Sequence, residues 1–384
     1  MYLLLLSVIY LAFISLGLPD SMLGAAWPTI YAEMNIPISY MGIITLIISL
    51  GTVLSSLLTD RAIARLGTQK VTAISTLLTA AALFGFSSSK SLIELCIWGV
   101  PYGFGAGAID AALNNYVATH YNSRHMSWLH CFWGVGTIIS PYIMSYALVN
   151  SVWQSGYKIV SAVQLCIGVV ILLSYPLWKI NADEESEKIK IKPIGFIGVM
   201  KIKGAASVMI GFLCYCAAEI TATLWTSTYF EGAFNVTKEE AAIYGSICFI
   251  GITSGRFLAG FIAEKLGDRV MIGLGGIIAT IGTVLIAMPI KELAIAGFVV
   301  FGLGCAPIYP SIMHSIPIRF GKERSQSIIG IQMASAYLGS TIAPAVFGII
   351  ADLIDIRILP MYLLFFVLMM LIVIGHANKE TNFK

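Results

Sequence analysis

The sequence predicts an all-α integral membrane protein of twelve transmembrane helices in two pseudo-symmetric six-helix bundles. Three observations carry that prediction: an apolar composition, a one-sided distribution of Lys and Arg, and an internal repeat near 200 residues. The chain is 58% hydrophobic and 11% charged, whereas soluble domains carry roughly 25% charged residues. A soluble globular class is thereby excluded. The net charge of +3 is too small to suggest a nucleic-acid partner.

A helical span needs about 20 apolar residues. Runs of that kind predict helices over 6–31, 38–59, 70–87, 92–119, 127–149, 157–178, 205–230, 241–263, 270–288, 292–316, 326–350 and 356–376. The start, MYLLLLSVIYLAF, lacks a basic n-region and stays apolar beyond the length of a signal-peptide core, so it reads as a retained first span. An even number of spans puts both termini on one side. Connections on that side, with Arg256 counted among them, hold 18 of the 23 Lys and Arg residues, and the other side holds 5. Such an excess marks the cytoplasmic face. The chain therefore reads as a multi-pass protein of the cell (plasma) membrane with both termini cytoplasmic. Residues 179–203 form the one charge-rich connection, a cytoplasmic linker between an N-terminal bundle (1–178) and a C-terminal bundle (204–384). The seven cysteines lie in apolar runs and read as small buried residues, not as a metal or redox pair. No cofactor is expected, and neither is a metal.

The halves repeat each other. A shift of 200 places Arg65-Leu66-Gly67 on Lys265-Leu266-Gly267. A shift of 197 places Phe104 and Gly107 on Phe301 and Gly304, and a shift of 203 places Gly136 and Pro141 on Gly339 and Pro344. Two parallel six-helix repeats joined by a linker describe a known transporter architecture.

Within the apolar runs, polar groups stand out. Gly103, Gly107, Asp110 and Asn114 share one helical stripe in the fourth span. A charged residue at a helix centre costs roughly 2.5–3.5 kcal/mol on insertion scales, which makes a functional reading the default. The alternative is a small-residue packing seam with polar glue. Glu219 sits near the middle of the seventh span, and Asp20 falls within one residue of it when the first and seventh spans are matched.

Gly260-Phe-Ile-Ala-Glu264-Lys265-Leu-Gly267-Asp-Arg269 resembles the gating loop of the major facilitator superfamily. Its first-half copy is degenerate: Asp60 stands where Gly is expected and Ala64 where the acid is expected, although Arg65 and Gly67 are kept. Asp110 with Asn114, His130-Cys-Phe-Trp-Gly134, Ala218-Glu219 with Trp225 and Tyr229, and Ala306-Pro307-Ile-Tyr309-Pro310 are similar to the fucose-permease-like branch, whose members include sugar:proton symporters. The resemblance implies the major facilitator fold, with spans 1, 4, 7 and 10 lining one cavity that Asp20, Asp110 and Glu219 would share.

A desolvated carboxyl can take up and release a proton as its access to water changes; a carboxylate with amide and carbonyl oxygens can instead hold Na⁺. Protons are the favoured coupling ion, carried by Glu219, Asp110 and Asp20, with His130 as a relay or a packing histidine. Sugar recognition calls for amides and an aromatic face. Asn114, Asn115 and Gln332 supply amides; Trp27, Trp225, Tyr229 and Tyr309 supply aromatics, each with a lipid-facing or interfacial alternative. Pro307 and Pro310 are expected to interrupt the tenth span. The reading is a monomeric secondary transporter of a sugar-like solute, working by alternating access in the lipid bilayer. A proton-antiporting exporter of drugs or metabolites and a Na⁺-coupled sugar symporter are the alternatives. No HExxH, Walker glycine loop or GxSxG motif is present, so an enzyme is not expected.

Overall fold

The structure, a computed structural model, describes residues 2–37, 40–178, 194–236 and 244–383. Most of the predicted linker lies outside the described residues, as does the start of the predicted eighth span. In the first half the helices are α1 (Tyr2–Gly17), α2 (Met22–Glu33), α3 (Met41–Leu66), α4 (Thr68–Ser88), α5 (Leu92–His120), α6 (Ser123–Asn150) and α7 (Trp153–Leu173). A short α8 (Gly195–Met200) precedes α9 (Ala205–Phe234), α10 (Ile247–Ile286), α11 (Lys291–Cys305), α12 (Ile308–Phe320), α13 (Lys322–Leu353) and α14 (Leu359–Glu380).

Among the described residues, eleven helical segments are long and apolar enough to cross a membrane. The chain is thus an all-α, multi-span membrane protein. One segment replaces two predicted spans: α10 runs for 40 residues, with Gly267 inside it at φ 76°, ψ 159°. That left-handed backbone, which glycine adopts without a Cβ penalty, breaks α10 into two legs. Gly67, its match at a shift of 200, has φ 80°, ψ 158° and separates α3 from α4. The sequence repeat is therefore also a backbone repeat.

Two predicted spans contain breaks. The first is split into α1 and α2 by turns at 18–21, where Pro19 cannot donate a helix hydrogen bond. The tenth is split into α11 and α12 at Ala306 and Pro307. Pro310 interrupts nothing, because it occupies the first turn of α12, where backbone N–H groups have no intrahelical partner.

The chain divides into two compact units, Met1–Tyr116 with Leu129–Ile194, and Val117–Trp128 with Gly195–Lys384. Within each, glycines let helix backbones meet. A Cβ on Gly103 would collide with the Ile48 carbonyl of α3, and one on Gly302 would collide with the Cys248 carbonyl of α10. Gly136 of α6 likewise abuts Ile14 of α1, while Gly339 of α13 abuts Leu213 of α9. Gly105 meets Ser75 and Thr79, and Gly304 meets Gly275 and Ala279. These contacts set the repeat register in spans 4 and 10 at 199, so the shift of 197 read from the phenylalanines slips by two residues. Gly103 and Gly107 are consequently a packing seam against α3, glued by Ser56 donating to the Gly107 carbonyl at 3.3 Å. The space left by the two missing side chains is filled by the backbone of α3.

Gly302→Ala is expected to lower stability by about 1–3 kcal/mol through overpacking. Gly273→Ala, where an added Cβ meets nothing within 4 Å, is expected to leave it unchanged; thermal unfolding in detergent micelles compares the two.

Candidate functional site

Each unit contains its own polar centre. In the first, one turn of α5 places Asn114 over Asp110. The Asn114 amide donates from Nδ2 to Asp110 Oδ1 at 2.7 Å and to the Asp110 carbonyl at 3.0 Å. That orientation turns Asn114 Oδ1 toward His130 Nε2 on α6, 3.0 Å away. An ionised carboxylate only accepts, so Asn114 must donate to it, and His130 must then carry hydrogen on Nε2. All three side chains are buried, and Phe13 of α1 meets the His130 ring edge-on at 5.5 Å. The α1–α6 contact at Gly136 brings Phe13 this close.

Asp20 lies in the break between α1 and α2 and is exposed. Tyr102 Oη and Trp133 Nε1 each donate to its carboxylate at 2.9 Å. Its repeat partner Glu219 sits instead inside the unbroken helix α9, because α9 carries no proline at the position matching Pro19.

The second centre is an ion pair. Arg256 donates from Nη2 to Glu219 Oε1 at 3.0 Å, with 5% and 7% of the two residues exposed. The sequence reading assigned Arg256 to a basic connection. It lies instead within the first leg of α10, one turn beyond Gly251 and Ile252, and its presence in an apolar run beside an intramembrane acid was the available signal. Tyr215 and Tyr309 lie near Arg256 and form one aromatic cluster with Phe212, in which Tyr215 stacks on Phe212 and Tyr309 meets both rings edge-on. At the register of 199 Tyr309 occupies the repeat position of Asp110, and at the shift of 203 that matches Gly136 to Gly339 Met333 occupies that of His130. Tyr309 Oη donates to Met333 Sδ at 3.4 Å, so the second unit keeps the contact with softer groups. Gln332, next to Met333 in the chain, is fully buried, and neither end of its amide has a hydrogen-bond partner among the described residues. A buried unsatisfied polar group costs about 1–3 kcal/mol, which a ligand hydroxyl would relieve.

The remaining predicted residues are placed as follows. Trp225 donates to the Pro344 carbonyl at 3.1 Å and meets Phe347 edge-on, joining α9 to α13. Tyr229 donates to the Ile286 carbonyl at 2.7 Å within a cluster of phenylalanines. Trp27 is buried in the apolar core of the first unit, beside Tyr31. Asn115 is half-buried. In the second-half loop, Glu264 accepts from Asn122 and Arg124, Arg269 donates to the Phe383 carbonyl, and Lys265 is exposed. In the first-half copy Asp60 is buried and accepts from the Arg61 amide, and Arg65 is exposed.

The family model of the Major Facilitator Superfamily matches residues 9–231 and again 207–378. The chain belongs to this superfamily. Transporter y4wD of Sinorhizobium fredii, whose substrate is uncharacterized, is 23% identical over 348 residues, covering 86% of this chain and 87% of its own length. The structure of the E. coli fucose:proton symporter FucP is similar at a TM-score of 0.80 and 14% identity, covering 98% of this chain and 99% of its own. The proton:xylose symporter XylE follows at a TM-score of 0.79 and 11% identity, with 98% and 95% covered. These relatives are transporters by their names, and the two structures show that the chain shares their fold.

Arg256→Gln is expected to destabilise the protein by about 3–5 kcal/mol by stranding a buried carboxylate. The double variant Glu219→Gln/Arg256→Gln should recover most of that loss. A double-mutant cycle of thermal unfolding checks both.

Proposed function

We propose that the chain is a secondary active transporter that moves a sugar-like solute together with protons by alternating access. On this reading twelve spans form two six-helix repeats, 1–178 and 204–384. The legs of α10 count as the eighth and ninth spans, and α1 with α2, like α11 with α12, count as one span each. The linker and both termini face the cytoplasm. The excess of Lys and Arg supports that orientation even with Arg256 removed from the count.

The observation that carries the proposal is the buried Asp110–Asn114–His130 chain. A proton can be held at its carboxylate end or its imidazole end. Protonating Asp110 makes it a donor, which lets the Asn114 amide turn over and present its own N–H to His130. Imidazole binds protons and not Na⁺, which favours proton coupling. FucP and XylE, both proton symporters of sugars by their descriptions, support the same choice.

Glu219 is the second candidate for coupling. Its carboxylate is held by Arg256 across the contact of α9 with α10, so any change in the packing of those two helices acts on it directly. Asp20 is a third carboxylate, already served by two neutral donors. In the second unit a substrate hydroxyl would be met by the Gln332 amide, with Tyr309 offering an aromatic face, and in the first unit Asn115, beside Asn114, is the candidate amide. Trp225, Tyr229 and Trp27 are better explained by packing. Loading proton and solute together neutralises buried charge, which lowers the cost of enclosing them. Glu264, Lys265, Gly267 and Arg269, with Gly260, would gate the cytoplasmic end.

In proteoliposomes given a panel of sugars, wild-type uptake of the transported sugar should rise with an inward pH gradient and ignore a Na⁺ gradient. Asp110→Asn should lose most gradient-driven accumulation while keeping exchange of labelled for unlabelled sugar. Unchanged dependence on the pH gradient in that variant would remove Asp110 from coupling.

A further inference from the structure

His314, on α12, belongs to neither polar centre. Its imidazole is held by acceptors on both sides: Nδ1 lies 2.6 Å from Asp268 Oδ2, and Nε2 lies 3.1 Å from the Tyr121 carbonyl. A neutral imidazole has one N–H and one lone pair, so it satisfies one acceptor and sets its lone pair against the other. The imidazolium donates to both. Asp268 suits a cation: it is buried, and among the described residues the hydrogen bond to its carboxylate comes from His314, with Oδ1 receiving none.

The segment that His314 grips is Val117–Trp128, the end of α5 and the start of α6, which packs in the second unit. Other contacts fasten the same segment to the stretch before Gly267. Asn122 donates to Glu264 Oε1 at 3.2 Å, Arg124 donates to Glu264 Oε2 at 2.9 Å, and Trp128 stacks edge-on with Phe261 at 5.7 Å. A Cβ on Gly260 would strike the Trp128 indole, so the motif glycine is the seat for this ring. The Arg124–Glu264 side chains are 39% and 30% exposed, against 14% and 4% for His314 and Asp268. The buried pair is thus the less screened part of the clasp.

We infer that His314 and Asp268 form a second proton-binding site, which fastens the Val117–Trp128 segment when occupied and frees it when the proton leaves. The inference rests on the alternating-access reading, in which the cytoplasmic ends of the spans must part once per cycle. On release the Nε2–H bond breaks and its proton passes to water at that end. The remaining Nδ1–H stays on Asp268, and the hydrogen bond from His314 to the Tyr121 carbonyl is lost. Arg319, on the same helix, also faces Asp268, with Arg269 in turn near Arg319; Arg124, His125 and Glu264 face one another at the segment. The arginines oppose a further positive charge, and Asp268 with the Tyr121 carbonyl offsets them. The protonated form is the fastened one, so the clasp holds at low pH and loosens as pH rises through the titration of His314.

Hydrogen–deuterium exchange of the full chain in lipid nanodiscs, without substrate, tests this between about pH 5 and pH 8. After correction for intrinsic rates, amides of 117–128 should exchange about tenfold faster at the upper pH, as expected for loss of a hydrogen bond to a charged group. His314→Gln should abolish that step. Glu264→Gln should raise exchange at both pH values and keep the step. A wild-type segment with no step, or a step that survives in His314→Gln, overturns the inference. Should His314→Gln not fold, Asp268→Asn must move the midpoint to lower pH, and an unmoved midpoint overturns it equally. No sugar is involved, so failure here and failure of sugar uptake are separate results.

Discussion

Direct backbone contact between crossing helices is the constraint on which the rest of this structure depends. Lipid tails are as apolar as leucine, so helices in a bilayer gain little by burying apolar faces against each other. They associate through close van der Waals packing and interhelical hydrogen bonds. Here glycine removes the Cβ at each crossing, and the neighbouring carbonyl moves into its place. The α1–α6 crossing at Gly136 is what lets Trp133 reach Asp20 and Phe13 reach His130. The α3–α5 crossing at Gly103 and Gly107 sets the depth at which Asp110 and Asn114 lie.

The same crossings recur in the second unit, yet the chemistry placed on them differs. Asp110 and His130 become Tyr309 and Met333, and Ser56 becomes Arg256 at a shift of 200. A duplicated scaffold has kept its glycine seams, where any side chain collides with backbone, and has varied the positions where side chains project into polar centres. The first unit therefore concentrates titratable groups joined by an amide, and the second concentrates an ion pair, an aromatic cluster and a buried amide.

The charged groups are held in three distinct ways. Glu219 has a counter-ion, Asp20 has two neutral donors, and Asp110 has an amide that can reverse its polarity.

Composition and hydropathy were enough to determine a multi-span helical membrane protein, because a bilayer admits few other ways to satisfy a backbone. The repeat was equally legible, since Gly67 and Gly267 are required by a left-handed turn that other residues resist. Asp110 and Asn114 were legible as a pair from helical spacing alone. Their partner His130 was named from the sequence, but its contact with Asn114 lies across two helices and no periodicity reports it. Arg256 was read as a loop cation because charge counting carries no depth, and only packing of α9 against α10 revealed that Glu219 neutralises it. Trp225 and Tyr229 looked like ligand platforms until their polar ends were found on backbone carbonyls. His314 had no reading from sequence, because its meaning depends on two acceptors 46 and 193 residues away. Spacing along a helix is written locally in the chain, whereas the pairing of charges and donors between helices is decided by which backbones can approach.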